Sequence, residues 1–216
     1  MRFSEIVNYV MVNTLYERSR EYEFVIKYLI PLLTLPKGIR YSIKILDVGG
    51  ADSRLSKFLS GEGFDVYVID ILEDDYGKAK FVKENILTYE FPNEFFNIII
   101  AISTIEHVGL PDAYGQEVID SVGDVKTVDK IYRWLKVGGL ALITLPFGKP
   151  HHPPTFERVY NDKSIWDRIL YKGWDVVEIK YYCQSSNDPH NFYECSISEA
   201  LTKDSCICLA LRKIEL

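Results

Sequence analysis

One stretch constrains the fold of this chain more than any other: Ile45-Leu46-Asp47-Val48-Gly49-Gly50-Ala51-Asp52-Ser53. A short apolar run opens directly into small residues. A helical pattern follows over 53–59 until Gly61 and Gly63 stop it. A strand that turns through glycines into a helix is the first unit of an open α/β sheet, where ligands bind beyond the carboxyl ends of the strands. Small residues at that turn let a backbone approach a ligand closely. A second apolar run, 66–69, closes on Asp70, about 20 residues past the turn, where an acid can accept hydrogen bonds from both hydroxyls of a ribose.

The rest of the chain repeats the alternation. Apolar residues recur at three- and four-residue spacing through 3–35, predicting helices that Pro31, Pro36 and Gly38 terminate. Strands are predicted at 43–48, 66–69, 80–83, 96–102, 140–145, 175–182 and 205–212. Helices are predicted at 122–135 and 163–171. Residues 183–204 are polar and read as irregular, with a short helix near 196–201. The pattern predicts a doubly wound, mostly parallel seven-stranded sheet, with its last strand antiparallel. Residues 1–40 form an N-terminal helical cap and residues 41–216 form the ligand-binding domain.

Composition narrows the function classes. The 216 residues carry a net charge of −6, which argues against a partner with a phosphate backbone, since such proteins usually show a basic face. No apolar run is long enough to span a bilayer. No apolar signal core precedes a small-residue cleavage site, so the expected compartment is the cytoplasm. The four cysteines all lie in the last third. Cys206 and Cys208 alternate within an apolar run and read as core residues of one strand face. A zinc site would need two close pairs or nearby histidines, so no metal is expected.

The turn is not G-x-G-x-x-G, which leaves a pyrophosphate cradle poorly supported and argues against a dinucleotide oxidoreductase. The chain instead resembles the class I S-adenosylmethionine-dependent methyltransferases from about residue 43 onward. The resemblance rests on I-L-D-V-G-G-A at 45–51, V-Y-V-I-D at 66–70, F-F-N-I-I-I-A-I-S-T-I-E-H-V at 95–108 and L-K-V-G-G-L-A-L-I-T-L-P at 135–146. More loosely, S-T-I-E-H-V-G-L, Tyr114-Gly115, L-P-F-G and E-R-V-Y at 157–160 resemble a subgroup linked to cell-surface sugar biosynthesis.

The resemblance implies a Rossmann-like methyltransferase fold and S-adenosylmethionine as cofactor. It places Asp47, Gly49, Gly50 and Ala51 around the methionine end and Asp70 on the ribose. Ile71, Asn85 and Ile86 fall by the adenine, and Ser103 near the cofactor at the end of the fourth strand. Two departures stand out: Ala51 and Ser53 replace turn glycines, and Asn85 replaces the adenine-side acid, keeping a carbonyl that can accept from the adenine amino group.

The expected acceptor is a small molecule, a sugar or sugar-derived metabolite, methylated at oxygen or nitrogen. A hydroxyl acceptor needs a base, and His107 and His151 follow the fourth and fifth strands. His107 reads equally as a core histidine bonded to backbone. Arg158 and Tyr160 are candidates for holding an anionic acceptor, against the alternative of a surface salt bridge. The rival readings are a catalytically inactive methyltransferase-fold subunit and a nucleic-acid or protein methyltransferase.

Overall fold

The structure, a computed structural model, describes residues 3–10, 17–51, 54–150, 152–188 and 190–215. Helices α1 (Phe3–Val10) and α2 (Glu17–Leu29), a 3₁₀ stretch (Ile30–Thr34) and α3 (Lys37–Arg40) precede strand β1 (Lys44–Val48). Then come α4 (Leu55–Gly61), β2 (Asp65–Asp70), β3 (Lys80–Lys83), β4 (Phe96–Ile102), a 3₁₀ turn (Ile105–His107), α5 (Gly123–Trp134) and β5 (Leu135–Gly148). The chain ends with α6 (Asp162–Ile165), a π-helical stretch (Trp166–Leu170), β6 (Trp174–Gln184), β7 (Phe192–Cys195), α7 (Ile197–Ala200) and β8 (Asp204–Lys213).

The strands form one sheet in the order β3-β2-β1-β4-β5-β8-β6-β7. β1 through β5 are mutually parallel, and β8 inserts antiparallel between β5 and β6. The doubly wound fold and the antiparallel last strand agree with the sequence reading. Among the described residues the sheet has eight strands rather than seven. The addition is β7, from a segment read as irregular, which pairs antiparallel with β6 at the sheet edge.

Period-two burial explains why the sheet forms. On β4, Ile98, Ile100 and Ile102 point into one core, and Ile99 and Ala101 into the other. On β8, Cys206, Cys208 and Ala210 alternate in the same way with Ile207, Leu209 and Leu211. α1, α2 and α4 cover the first face through Ile6, Val7, Val25, Leu29 and Leu59. α5 and the 162–170 helix cover the second through Val128, Ile131, Trp134 and Ile169. Each large side chain buried this way contributes roughly 1.5–3 kcal/mol relative to exposure.

Two features were not legible from spacing. Cys183 on β6 and Cys195 on β7 form a disulfide that staples the edge hairpin, with a Cα–Cα distance of 5.9 Å. Disulfides persist mainly in oxidising compartments, a setting the cytoplasmic expectation does not anticipate. Cys206 and Cys208 are free and buried, as expected of core residues. Among the described residues no helix is long and apolar enough to cross a membrane.

The second feature is a buried polar hub. Asp124, at the start of α5, accepts from Arg168 Nε (2.6 Å) and Nη2 (2.5 Å) and from the Tyr160 hydroxyl (3.0 Å). Arg158 Nε lies 3.6 Å from the same carboxylate. Removing one partner of a buried, paired charge typically costs about 3–5 kcal/mol, so Asp124→Ala should lower unfolding stability by that order. Urea denaturation measures it, and a midpoint equal to the parent's would show that the hub is dispensable.

Candidate active site

A cavity of about 210 Å³ opens where the strand order reverses, beyond the carboxyl ends of β1, β2 and β4. That switch point is where an open α/β sheet leaves a crevice, because its connections depart to opposite faces. Of the residues named from sequence, Asp47, Gly49, Ala51, Asp70, Ile71, Asn85, Ile86, Ser103 and His107 all line this one cavity. Gly50, Arg158 and Tyr160 do not, and His151 lies outside the described residues.

The turn after β1 needs its glycines for a reason other than ligand approach. Gly49 has φ 71°, a region that disfavours side chains, and its N–H donates to Ile69 O (2.9 Å). A Cβ there would overlap the Thr104 side chain, and one on Gly50 would lie 2.9 Å from Asp47 Oδ2 and 3.0 Å from Val68 Cγ1. The space those glycines leave is therefore filled by protein. The β1 turn and the β4 turn interlock there.

Asp70 closes β2 with both oxygens oriented: Oδ2 accepts from Ala51 N (2.9 Å) and Oδ1 from Leu72 N (2.8 Å). Glu84 also lines the cavity, one position before Asn85, so an acid does stand at that edge. Asn85 Oδ1 accepts from Leu87 N (2.9 Å), which uses one of the two lone pairs of the carbonyl expected to meet adenine.

Asp47 is buried at the base of the turn and accepts from Ser56 Oγ (2.6 Å). Burial raises its carboxyl to about 6, against the lowering effect of Ser56 and with a smaller upward push from the Asp70 charge. A folded-state value above the unfolded one means that the native state binds more protons between roughly pH 4 and 6. Stability should therefore fall as pH rises through that window, by about 2–3 kcal/mol from this group. Denaturation of the parent and of Asp47→Asn across the window checks this. Identical slopes would remove Asp47 as the cause.

The far wall is built from the β4 end and from α2. Ser103 adopts φ 42°, in the left-handed region that non-glycine residues seldom occupy, and its N–H points to Thr144 O (3.2 Å) and Oγ1 (3.1 Å). Its hydroxyl donates to Glu21 Oε1 (2.6 Å), a fully buried carboxylate on α2. Arg18, one turn earlier, lines the cavity, donates from Nη1 to Ile102 O (3.1 Å) and places Nε 3.6 Å from Glu21 Oε2. Behind this wall Glu106 is fully buried, and burial first, then the Glu21 charge, keeps its carboxyl well above the usual range.

His107 sits in the 3₁₀ turn with Nδ1 2.8 Å from Phe156 O. A carbonyl can only accept, so Nδ1 carries the proton and Nε2 keeps its lone pair. Burial lowers the imidazole to about 4, and the cations of Arg18 and Arg158 push the same way. The ring is therefore neutral at physiological pH. Tyr114 and Phe156 pack edge-on against it, with centroids at 5.0 and 4.9 Å.

Arg158 takes a structural position instead of an acceptor-binding one. Its guanidinium donates to Glu106 O (3.0 Å), Val108 O (2.8 Å), Asp120 O (3.2 Å) and Ser121 O (3.3 Å). Tyr160 is buried on Asp124. Arg158 thereby fastens the neck of the 110–119 loop, where Asp120 N also donates to Gly109 O (2.9 Å). From within the loop, Gln116 returns to the neck, accepting from Gly109 N (2.9 Å) and donating to His107 O (2.8 Å).

Sequence reasoning missed Arg18, Tyr22, Glu84, Thr104, Tyr114 and Gln116, all of which line the cavity. Thr104 and Glu84 could have been found, since each adjoins a residue already placed at a strand end. Nothing local marks Arg18 and Tyr22, which reach the site only because α2 packs on the sheet.

Residues 76–214 match the sequence profile of a family described as "Caenorhabditis protein of unknown function, DUF268". The chain belongs to this family. No curated protein matches this DUF268 member. Its fold is shared with solved methyltransferases of low sequence identity. A SAM-dependent methyltransferase from Archaeoglobus fulgidus is 17% identical with a TM-score of 0.60, over 90% of this chain and 94% of that one. The 1,6-didemethyltoxoflavin-N1-methyltransferase of Burkholderia thailandensis, solved with S-adenosylhomocysteine, is 12% identical with a TM-score of 0.56, over 90% and 87%. The [4+2]-cyclase SpnF matches at 11% identity and a TM-score of 0.56, over 94% and 83%. The DUF268 chain thus has the class I methyltransferase fold, and the cyclase shows that this fold is not confined to methyl transfer.

Proposed function

We propose that this DUF268 chain is an S-adenosylmethionine-dependent methyltransferase of a small-molecule acceptor, a sugar or sugar-derived metabolite, acting at oxygen or nitrogen. The observation that carries the reading is that Asp70 and His107, which leave the sheet on either side of β1, line a single cavity at the switch point.

The residues present suit the cofactor. Asp70 is a carboxylate already aimed by two backbone N–H groups, able to accept from a pair of ribose hydroxyls. Ile71 and Ile86 offer apolar surface to a base, with Asn85 at its edge. Asp47, Asp70 and Glu84 make the lining acidic, which favours a cationic ligand. When bound, the cofactor supplies an electrophilic methyl on a sulfonium. The protein's part is to align the acceptor with it and to exclude water. His107 takes the proton of a hydroxyl acceptor at Nε2, since Nδ1 is held by Phe156 O. The N-terminal helices cap the acceptor side, with Arg18 and Tyr22 in the wall.

Calorimetry with S-adenosylhomocysteine, followed by transfer of a labelled methyl group to fractionated small-molecule extract, tests the reading. No measurable cofactor binding by the folded protein would reject it.

A further inference from the structure

We propose that Glu106 is a proton reservoir behind the cavity wall: it holds its proton while the cavity carries no cation, releases it when a sulfonium enters, and takes one back through His107 once the methyl has left. The inference rests on the methyltransferase reading for the identity of the cation, and on burial and contacts for the behaviour of the carboxyl.

Glu106 is fully buried, and neither carboxyl oxygen has a hydrogen-bond partner among the described residues. An ionised carboxylate is costly in such a place, whereas the protonated acid is tolerated. Beyond burial itself, the charges around it come from three elements. From α2, Glu21 opposes ionisation and Arg18 favours it, and from the segment after β5, Glu157 opposes it again. Arg18 already answers the Glu21 charge, with Nε 3.6 Å from Oε2. In the Glu157 segment Arg158 is committed to backbone carbonyls and Tyr160 to Asp124. On its own turn stands His107, with Nε2 3.7 Å from Glu106 Oε1. Thr104 and His107 both line the cavity, so Glu106 lies directly behind the wall. A positive charge in that cavity favours the ionised form of an acid so near, because buried charges are little screened.

Charge and protons then balance across the reaction. Transfer from a sulfonium to a hydroxyl breaks the S–C bond, leaves its electron pair on sulfur and forms the O–C bond. The cation disappears and the proton of the hydroxyl is set free. His107 Nε2 receives that proton, but burial holds the imidazole at about 4, so it keeps a proton poorly. The neighbouring Glu106 carboxylate, whose proton affinity burial raises, takes it over. The wall thus carries the negative charge of Glu106 with the methyl donor bound and loses it with the demethylated product.

The test needs no acceptor. S-Adenosylmethionine and S-adenosylhomocysteine are titrated into the full-length protein by calorimetry in buffers of low and high ionisation enthalpy. The two ligands differ by one methyl and its charge, so the difference in protons released reports the sulfonium. Work at about pH 8 keeps Asp47 ionised throughout, since its carboxyl lies at about 6. S-Adenosylmethionine should release up to about one proton more than S-adenosylhomocysteine, and its relative affinity should rise with pH by up to about tenfold per unit. Glu106→Gln should abolish both effects, and Asp47→Asn should keep them. A purely structural role for Glu106 would move neither proton count. A measurement on the parent stands apart from any variant. With glutamate isotope-labelled at its side-chain carboxyl, infrared difference spectra should show a protonated glutamic acid lost on adding S-adenosylmethionine and retained on adding S-adenosylhomocysteine. Equal proton release by the two ligands, an excess that survives in Glu106→Gln or vanishes in Asp47→Asn, or an unchanged glutamic acid band would overturn the proposal while leaving the cofactor assignment intact. Binding of neither ligand would reject the methyltransferase reading itself, and this inference with it.

Discussion

Asp70→Ala is expected to weaken S-adenosylmethionine binding by about 10²–10⁴-fold, because two hydrogen bonds to a charged acceptor are lost and each contributes roughly 1.5–3 kcal/mol. The same carboxylate holds Ala51 N and Leu72 N, so the change also releases the β1 turn and the start of the β2 loop. Asp70→Asn keeps one acceptor oxygen but turns its NH2 against the other backbone N–H. It should fall between parent and Ala in both affinity and melting temperature. Calorimetry and a thermal melt measure both quantities. A folded Asp70→Ala protein with parental affinity would take the ribose contact away from this residue.

His107→Ala is expected to reduce turnover by about 10²–10⁴-fold and to leave cofactor affinity nearly unchanged, as for loss of a general base. The imidazole is held at about 4 by burial, so it is already deprotonated throughout the neutral range. Turnover should therefore be insensitive to this group between roughly pH 5.5 and 8, and fall only as acid protonates Nε2. A group near its ordinary value would instead give a limb around pH 6.5. Parental turnover in His107→Ala would mean that alignment of an already nucleophilic acceptor suffices. Joint loss of cofactor binding and thermal stability would make His107 a core histidine.

The parts of this protein that the sequence discloses are those fixed by local pattern. Ile98 to Ile102 must be a strand buried on both faces because nothing polar interrupts it but Asn97 at its start. The Gly49 turn and Asp70 lie at strand ends by simple counting, and one cavity gathers them. What the sequence conceals depends on packing between distant segments. Arg158 looks like an anion receptor in isolation, yet the carbonyls it binds lie 37 to 52 residues away in sequence. Tyr160 is drawn into the core by Asp124, 36 residues earlier. The β7 strand escaped notice because four residues at a sheet edge carry too little alternation to stand out, and because its pairing with β6 and the Cys183–Cys195 bond are set by the hairpin between them. Gly49 lines the cavity as well, and the space a Cβ would take there is filled by Thr104, a neighbour that no local pattern discloses.

The neck of the 110–119 loop bears on engineering. Gly109 and Gly123 let the two stems meet backbone to backbone: a Cβ on the first would overlap Asp120 O, and one on the second Val108 O. Arg158 then ties both stems from outside the loop. Loop closure costs only about 0.6 kcal/mol for each doubling of length, so a neck secured by external groups can carry inserts of varied size. The segment between the stems, which brings Tyr114 and Gln116 to the cavity, is thus an exchangeable cassette. Grafting another loop there would recast this wall of the cavity, provided the new segment replaces the Gln116 bonds to Gly109 N and His107 O.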